Sequence, residues 1–226
     1  MLGGLVALPF PPECVVCGSG LPELGLLCDR CAATLAPLEG ERCAVCGAPI
    51  DGPSLDLCIA CGTRERGFDR ILALGPYDGG WGVLVRALKF DREKLVARWL
   101  SKRLAEHARR EAIRADLVTF VPMTRDERRA RGFNQSRLLA RAVAGKLGIP
   151  VRRTLRKARR TASQAGLSAR SRRENLRGAF SALPSRGTRV LLVDDICTTG
   201  STAEACAKAL RRAGARSVDV LVVARA

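Results

Sequence analysis

Val190-Leu191-Leu192-Val193-Asp194-Asp195-Ile196-Cys197-Thr198-Thr199-Gly200-Ser201-Thr202 is the stretch whose reading decides the fold. Four consecutive apolar residues read as a parallel strand covered on both faces, because a strand with one wet face alternates. A helix follows over about 203–213, burying Cys206, Ala209, Leu210 and Ala213, and Gly214 ends it before a further apolar strand over 218–223. The loop 198–202 therefore joins a buried strand to a helix N-terminus. Its hydroxyls, its backbone N–H groups and the positive end of the helix dipole suit a phosphate, and Gly200 is expected to permit close approach. The GxxxxGK[ST] pattern is missing, so triphosphate binding of the Walker type is not supported. Asp194 and Asp195 stand at the strand's carboxyl end, where open α/β sheets bind ligands, and can accept hydrogen bonds from ribose hydroxyls or assist a divalent ion.

Working outward, strand and helix keep alternating. Residues 116–121 form a short apolar run ending at Pro122, and a helix is expected over 135–147, with Leu139, Ala142, Val143 and Leu147 on one face and Gly148 as its stop. Upstream, 71–74 reads as a strand, followed by helical stretches near 81–89 and 92–109. In the second of these, Val96, Leu100 and Leu104 form an apolar stripe with Leu95 and Trp99 alongside. Trp81 and Trp99 read as core. Alternation of this kind means a parallel α/β sheet.

The chain has 226 residues, 47% of them hydrophobic, which excludes disorder. Thirty-nine Lys and Arg against 22 Asp and Glu leave a formal charge of +17, which points to phosphate-bearing partners. The charge is segregated. Residues 1–62 carry two basic and seven acidic side chains, whereas 125–178 carry 17 basic and three acidic ones. A boundary near 62–67 is expected, giving a small domain over 1–66 and a larger one over 67–226 with a separate core. The opening apolar run lacks a basic flank and a small-residue cleavage site, so the chain reads as cytoplasmic. No apolar stretch approaches the ~20 residues that cross a bilayer.

Eight of the ten cysteines lie before residue 62, in four CxxC pairs. Cys14 and Cys17 are followed by Cys28 and Cys31, then Cys43 and Cys46 by Cys58 and Cys61, an internal repeat of two similar halves. Each CxxC turn, relaxed by Gly18 or Gly47, can aim two thiolates at one ion, and the second pair completes a tetrahedral shell. The alternative is a disulfide framework, which a reducing compartment disfavours. Two structural zinc ions are the natural assignment. A closed four-cysteine site has no position for a catalytic water, and the negative charge of this segment argues against it reading nucleic acid by itself. A structural or protein-docking role is expected for it.

At residues 190–202 the sequence resembles the type I phosphoribosyltransferases, whose signature is four apolar residues, two acids and a Thr- and Gly-rich loop. With the Cys-rich N-terminus, the run Arg131-Gly132-Phe133-Asn134-Gln135 and the run Arg173-Glu174-Asn175-Leu176-Arg177-Gly178-Ala179-Phe180, the whole chain resembles the ComF family of the ComFC type. The resemblance implies a type I phosphoribosyltransferase-like parallel sheet with helices on both faces, preceded by a double zinc ribbon. It implies that Asp194 and Asp195 hold the ribose of phosphoribosyl pyrophosphate, that the loop from Cys197 through Thr198, Thr199, Gly200, Ser201 and Thr202 holds its 5′-phosphate, and that the turn Pro122-Met123-Thr124 faces the pyrophosphate with magnesium. It also implies a mobile loop around 163–173, placing Gln164, Arg170, Arg172 and Arg173 over the site, with Arg131, Asn134 and Asn175 beside them. The family's link to DNA uptake in natural transformation implies single-stranded DNA and proteins of DNA uptake or recombination as partners.

Several residues stay open. Lys89 either reaches a phosphate or faces water, and Cys197 is either a reactive thiol or, as favoured here, a small packing residue. The only histidine, His107, is expected on a helix exterior, so a Ser-His-Asp or Cys-His site is not indicated. Because the sequence stops three residues after Val223, the usual acceptor pocket is expected to be incomplete, with 67–115 as a substitute hood and 116–226 as the core. Three readings follow: a donor-binding DNA-uptake protein, an active phosphoribosyltransferase (a glycosyltransferase) with an unidentified acceptor, and an adaptor built on the acidic ribbon. Elemental analysis of freshly purified, unsupplemented protein should return two zinc ions per chain; disulfides by mass spectrometry in their place would refute the metal assignment.

Overall fold

The computed structural model describes residues 12–23, 25–50, 56–88, 93–158, 176 and 178–226. Four strands, β1 (Arg70–Pro76), β2 (Leu117–Phe120), β5 (Arg189–Cys197) and β6 (Ser217–Arg225), form one sheet in the order β1-β6-β5-β2. All three pairings are parallel, with Val190 opposite Val218 and Leu117 opposite Val190. A short antiparallel pair, β3 (Leu155–Lys157) and β4 (Phe180–Ala182), stands apart. Two short turns of helix, α1 (Asp29–Ala33) and α2 (Ile59–Gly62), belong to the Cys-rich segment. The longer helices are α3 (Gly79–Ala87), α4 (Glu93–Arg110), α6 (Gln135–Leu147) and α7 (Ser201–Arg212), with the short α5 (Arg125–Arg131) after β2. No helix among the described residues is long and apolar enough to cross a membrane.

The apolar run of β5 is covered on both faces, as its composition requires. Leu191 and Val193 join one core with Leu84 of α3, Leu100 and Leu104 of α4 and Leu139 and Val143 of α6. Val190 and Leu192 join the other with Cys206 and Leu210 of α7 and Leu155 and Phe180 of the small sheet. Helix α6 has the expected bounds: Asn134 caps its start through Oδ1, which accepts from Arg137 N, and Gly148 at φ +69° ends it. In α4 the stripe is Val96, Leu100 and Leu104, while Leu95, one residue off that face, is exposed. His107 is half-buried rather than external, and burial lowers its pKa.

The expectation of two separate cores is corrected by the packing. Cys43, Cys46 and Cys61 are buried in the same cluster as Ile71, Val222 and Ala207, and Leu26 of the first ribbon half packs into the cluster on the other face. The ribbon straddles the sheet's β1 edge. Ile71 N donates to Val45 O at 2.8 Å, which closes part of an otherwise open edge strand, and Trp81 Nε1 donates to Ala36 O at 2.8 Å. The connecting segment is pinned too, because Gly67 N donates to the buried Glu204 of α7 at 3.1 Å and Arg211 pairs with Asp69 at 2.6 Å. A 30-residue ribbon half buries little apolar surface alone, and docking supplies what it lacks. Within 67–115, anticipated as a hood, β1, α3 and α4 supply an edge strand and two helices packed on the sheet.

Because ribbon and sheet share cores, Cys43→Ser should destabilise the whole chain by about 2–4 kcal/mol, or roughly 5–15 °C in Tm. The fluorescence of Trp81 and its neighbour Trp99 should report one transition, coincident with zinc release. A ribbon that loses zinc while the tryptophan signal stays native would contradict the shared core.

Candidate functional site

Strand β5 runs past its apolar part, so Asp194 and Asp195 still belong to the strand and emerge at the sheet's carboxyl edge. Asp194 Oδ1 accepts from Ser136 Oγ at 2.7 Å and from Asp195 N at 3.0 Å. Burial, with the neighbouring Asp195 charge, holds the Asp194 carboxyl well above the usual carboxylate range. The chain then turns through 198–202 into α7. Gly200 is the N-cap of that helix in the left-handed region, at φ +73°, and Thr199 Oγ1 lies 2.8 Å from Ser201 Oγ.

Gly200 serves a different purpose from the one expected. A Cβ there would meet Ile71, Cys197 and Phe68 at ordinary contact distances of 3.7–4.0 Å, so it would point back to the core and leave the mouth of the loop open. Positive φ is what the position demands. Cys197 is buried under the same loop, and burial pushes its thiol up to about 11, which makes it a packing residue with a protonated sulfur.

Across from the acids lies an open cleft of about 730 Å³. Pro122 and Met123 of the β2–α5 turn line it, as do Glu127 and Arg131 of α5, Gln135 and Ser136 of α6, Lys157 of β3, and Asp194 and Asp195. Lys157 Nζ sits 2.6 Å from Glu127 Oε1. Thr124 caps α5: its Oγ1 accepts from Glu127 N at 3.2 Å, and its own N donates to Glu127 Oε2 at 2.7 Å. Gln135 is 2% exposed, and its buried Nε2 has no hydrogen-bond partner among the described residues. The loop 198–202 is not part of this lining; it lies one turn further along the chain, heading α7.

Arg225, at the end of β6, ties the loop that heads α7 to the ribbon. Its Nε donates to Cys46 O at 3.2 Å and its Nη1 to Cys197 O at 3.2 Å, with further bonds to the carbonyls of Thr198 and Ala226. The two cysteine clusters are built for metal. In each, Cys14-Cys17-Cys28-Cys31 and Cys43-Cys46-Cys58-Cys61, all four sulfurs lie within 4.8 Å of one another. The Cys17–Cys28 and Cys46–Cys58 separations of 3.8 and 3.6 Å match the ~3.8 Å edge of a tetrahedron with Zn–S bonds of about 2.3 Å. Four such thiols cannot all ionise unaided. Hydrogen bonds to Ser19 draw Cys17 down to about 6, and the bond to Cys17 pushes Cys31 up to about 12, a competition that a divalent cation removes.

Comparison with known proteins matches two segments of the chain. Residues 5–62 match the double zinc ribbon domain, and 134–226 match the phosphoribosyl transferase domain. The DNA utilization protein YhgH of Salmonella typhimurium is 35% identical over 94% of this chain and 89% of that protein. Competence protein F of Haemophilus influenzae is 34% identical over 75% of this chain and 78% of that one. The chain belongs to the ComF family. Among solved structures, the glutamine phosphoribosylpyrophosphate amidotransferase from B. subtilis aligns over 55% of this chain and 25% of that one, at 31% identity and a TM-score of 0.39. The phosphoribosyltransferase-like sheet of this ComF chain includes β1 and β2, which precede the segment matched by the domain.

Of the expected site residues, Asp194, Asp195, Pro122, Met123 and Arg131 converge on the cleft. Thr124 faces an adjoining basic pocket, and Asn134 holds the turn, its Nδ2 donating to Val121 O at 3.1 Å. Lys89, Gln164, Arg170, Arg172, Arg173 and Asn175 lie outside the described residues. Sequence reasoning missed Ser136, Gln135, Lys157 and Arg225. It also missed Glu127, although Thr124-Arg125-Asp126-Glu127 carries the capping-box spacing. Since Gly200 answers to its backbone angle, Gly200→Ala should cost about 1–2 kcal/mol in a denaturant titration, and Gly200→Asn less. Equal losses for both variants would point to crowding instead.

Proposed function

We propose that this ComF protein binds phosphoribosyl pyrophosphate with magnesium at the carboxyl edge of β5 and handles single-stranded DNA on its basic face. The observation that carries the first part is the Asp194–Asp195 pair followed directly by a hydroxyl-rich loop heading α7, within the segment that matches the phosphoribosyl transferase domain. Asp194 and Asp195 take the ribose hydroxyls, the loop 198–202 takes the 5′-phosphate, and the pyrophosphate lies toward Pro122, Met123 and Lys157. Magnesium supplies charge neutralisation on the pyrophosphate; the chain's own part is to position the ribose and exclude alternatives. Support for DNA comes from the segregated positive charge and from relatives named for competence and DNA utilization. Thiol clusters of this kind accord with a reducing, cytoplasmic setting.

Transfer of the sugar to an acceptor is the second reading. The match of residues 134–226 to the phosphoribosyl transferase domain favours it. The acidic ribbon, docked on the sheet, keeps an outer surface through which proteins of DNA uptake or recombination would bind.

Calorimetric titration with phosphoribosyl pyrophosphate and magnesium tests the site without needing an acceptor. Charge-assisted hydrogen bonds are worth about 1.5–3 kcal/mol each, so Asp194→Asn with Asp195→Asn should lose tenfold or more in affinity. Unchanged binding would move the site elsewhere. The pH dependence has a definite sign. Asp194 has a raised pKa and keeps its proton above the ordinary carboxylate range, so wild-type affinity should climb as pH rises through that raised value and the carboxylate forms. In the double Asn variant that part of the climb should vanish.

A further inference from the structure

A second cavity, of about 300 Å³, shares Pro122 and Met123 with the acid-bearing cleft and has a different chemistry. Its apolar part is made by Phe133, Met123 and Leu138. Around these stand Lys94, Arg128, Arg137, Arg141 and Arg153, and among the described residues no carboxylate lines it. None of these five cations forms an ion pair with a described residue. Elsewhere the chain does pair its cations, as Arg70 with Asp219, Arg189 with Asp116 and Lys157 with Glu127. Unbalanced charge therefore gathers where the basic domain also presents a half-buried aromatic ring.

The ring is held in place. Phe133 stands between Gly132, which ends α5 at φ +81°, and Asn134, which caps α6 and bonds back to Val121 O. Two capped helices thus fix it from both sides, so little freedom is lost when something stacks on it. A second, basic pocket adjoins the cavity. Lined by Arg125, Arg128, Arg153, Arg156 and Lys157, it shares Arg128 and Arg153 with the aromatic cavity, and Lys157 with the Asp194–Asp195 cleft. Met123 touches all three spaces.

We propose that the Phe133 cavity is a base-stacking subsite for one nucleotide of a single strand, whose neighbouring phosphates run along the Arg128–Arg153 pocket toward the acid-bearing cleft. This rests on the DNA-handling part of the proposed function and gives it an address. A planar ring gives sequence-tolerant stacking and arginines track the backbone, which is how strands are bound without base readout. At about 300 Å³ the cavity suits one base and no more than a small part of the strand. The same chemistry would accept a free mononucleotide.

Fluorescence anisotropy with a labelled 12-nucleotide oligo-dT and the full chain, over a range of salt, tests the proposal. Phe133→Leu keeps an apolar side chain without the ring and should weaken binding about tenfold at every salt concentration, leaving the log–log slope unchanged. Phe133→Trp should restore affinity. Replacing Arg128 and Arg153 by Ala should flatten the slope by about 1.4, at ~0.7 for each phosphate released. A strand with abasic sites and the same phosphates should bind wild type no better than it binds Phe133→Leu. Melting temperatures within a few degrees of wild type confirm that each variant is folded. If wild type retains the strand and Phe133→Leu binds it equally well, the subsite is wrong and the DNA reading stands. If wild type fails to bind the strand at low salt, both fall. Thymidine monophosphate binding that depends on Phe133, alongside strand binding that does not, would make the cavity a mononucleotide site and overturn the strand assignment.

Discussion

Strand β5 is apolar on both sides, and a parallel strand of that kind is stable only when each face is roofed. Helices α3, α4 and α6 roof one face, and α7 with the β3–β4 pair and the second ribbon half roofs the other. The rest of the molecule follows from that requirement. Crossover helices have to be long enough to return the chain to the same end of the sheet, which leaves all four strands pointing their carboxyl ends the same way. Asp194 and Asp195 are the first residues of β5 for which the roof opens, so two carboxylates meet at the one edge where loops are free to build a cleft.

The ribbon answers a second requirement. An exposed strand edge is a template for unwanted pairing, and β1 is one of the two edges. The bond from Ile71 N to Val45 O occupies part of it, with Leu26 and Cys46 buried on opposite faces beyond. The metal clusters are thus more than local staples. Through Cys46 O and Arg225, the second one reaches the carbonyls of the loop that heads α7, so its integrity and the shape of that loop are mechanically joined.

Charge is sorted across the same sheet. The acidic ribbon sits at the β1 edge, while α5, α6 and the basic cavities surround β2 at the other. Had the ribbon docked on the β2 side, its carboxylates would have neutralised the arginines there. With the ribbon at the other edge, the arginines lining these cavities keep their charge among the described residues.

Much of this was readable from the residues alone. The four apolar residues of β5, the acid pair and the hydroxyl loop specify a local structure whose every part is contiguous in the chain, and the CxxC spacing specifies its ligands in the same way. The bounds of α6 were legible because Asn134 and Gly148 are strong end signals flanking a regular apolar face. Contacts between distant segments were not legible. Ser136 on Asp194, Lys157 on Glu127, Arg225 on Cys46 and the burial of the ribbon in the sheet's core join residues separated by 30 to 179 positions, and no local pattern encodes which of many arginines or serines will arrive there. The role of Gly200 was misjudged for a related reason: composition shows that a glycine stands in the loop, but only the backbone angle shows what its missing side chain would have met. Sequence by itself determined the elements, the metal ligands and the acid-bearing loop, because short-range sterics and periodicity fix those; tertiary packing alone decided that ribbon and sheet are one body and that basic side chains from three segments gather around Phe133, because both depend on which surfaces meet.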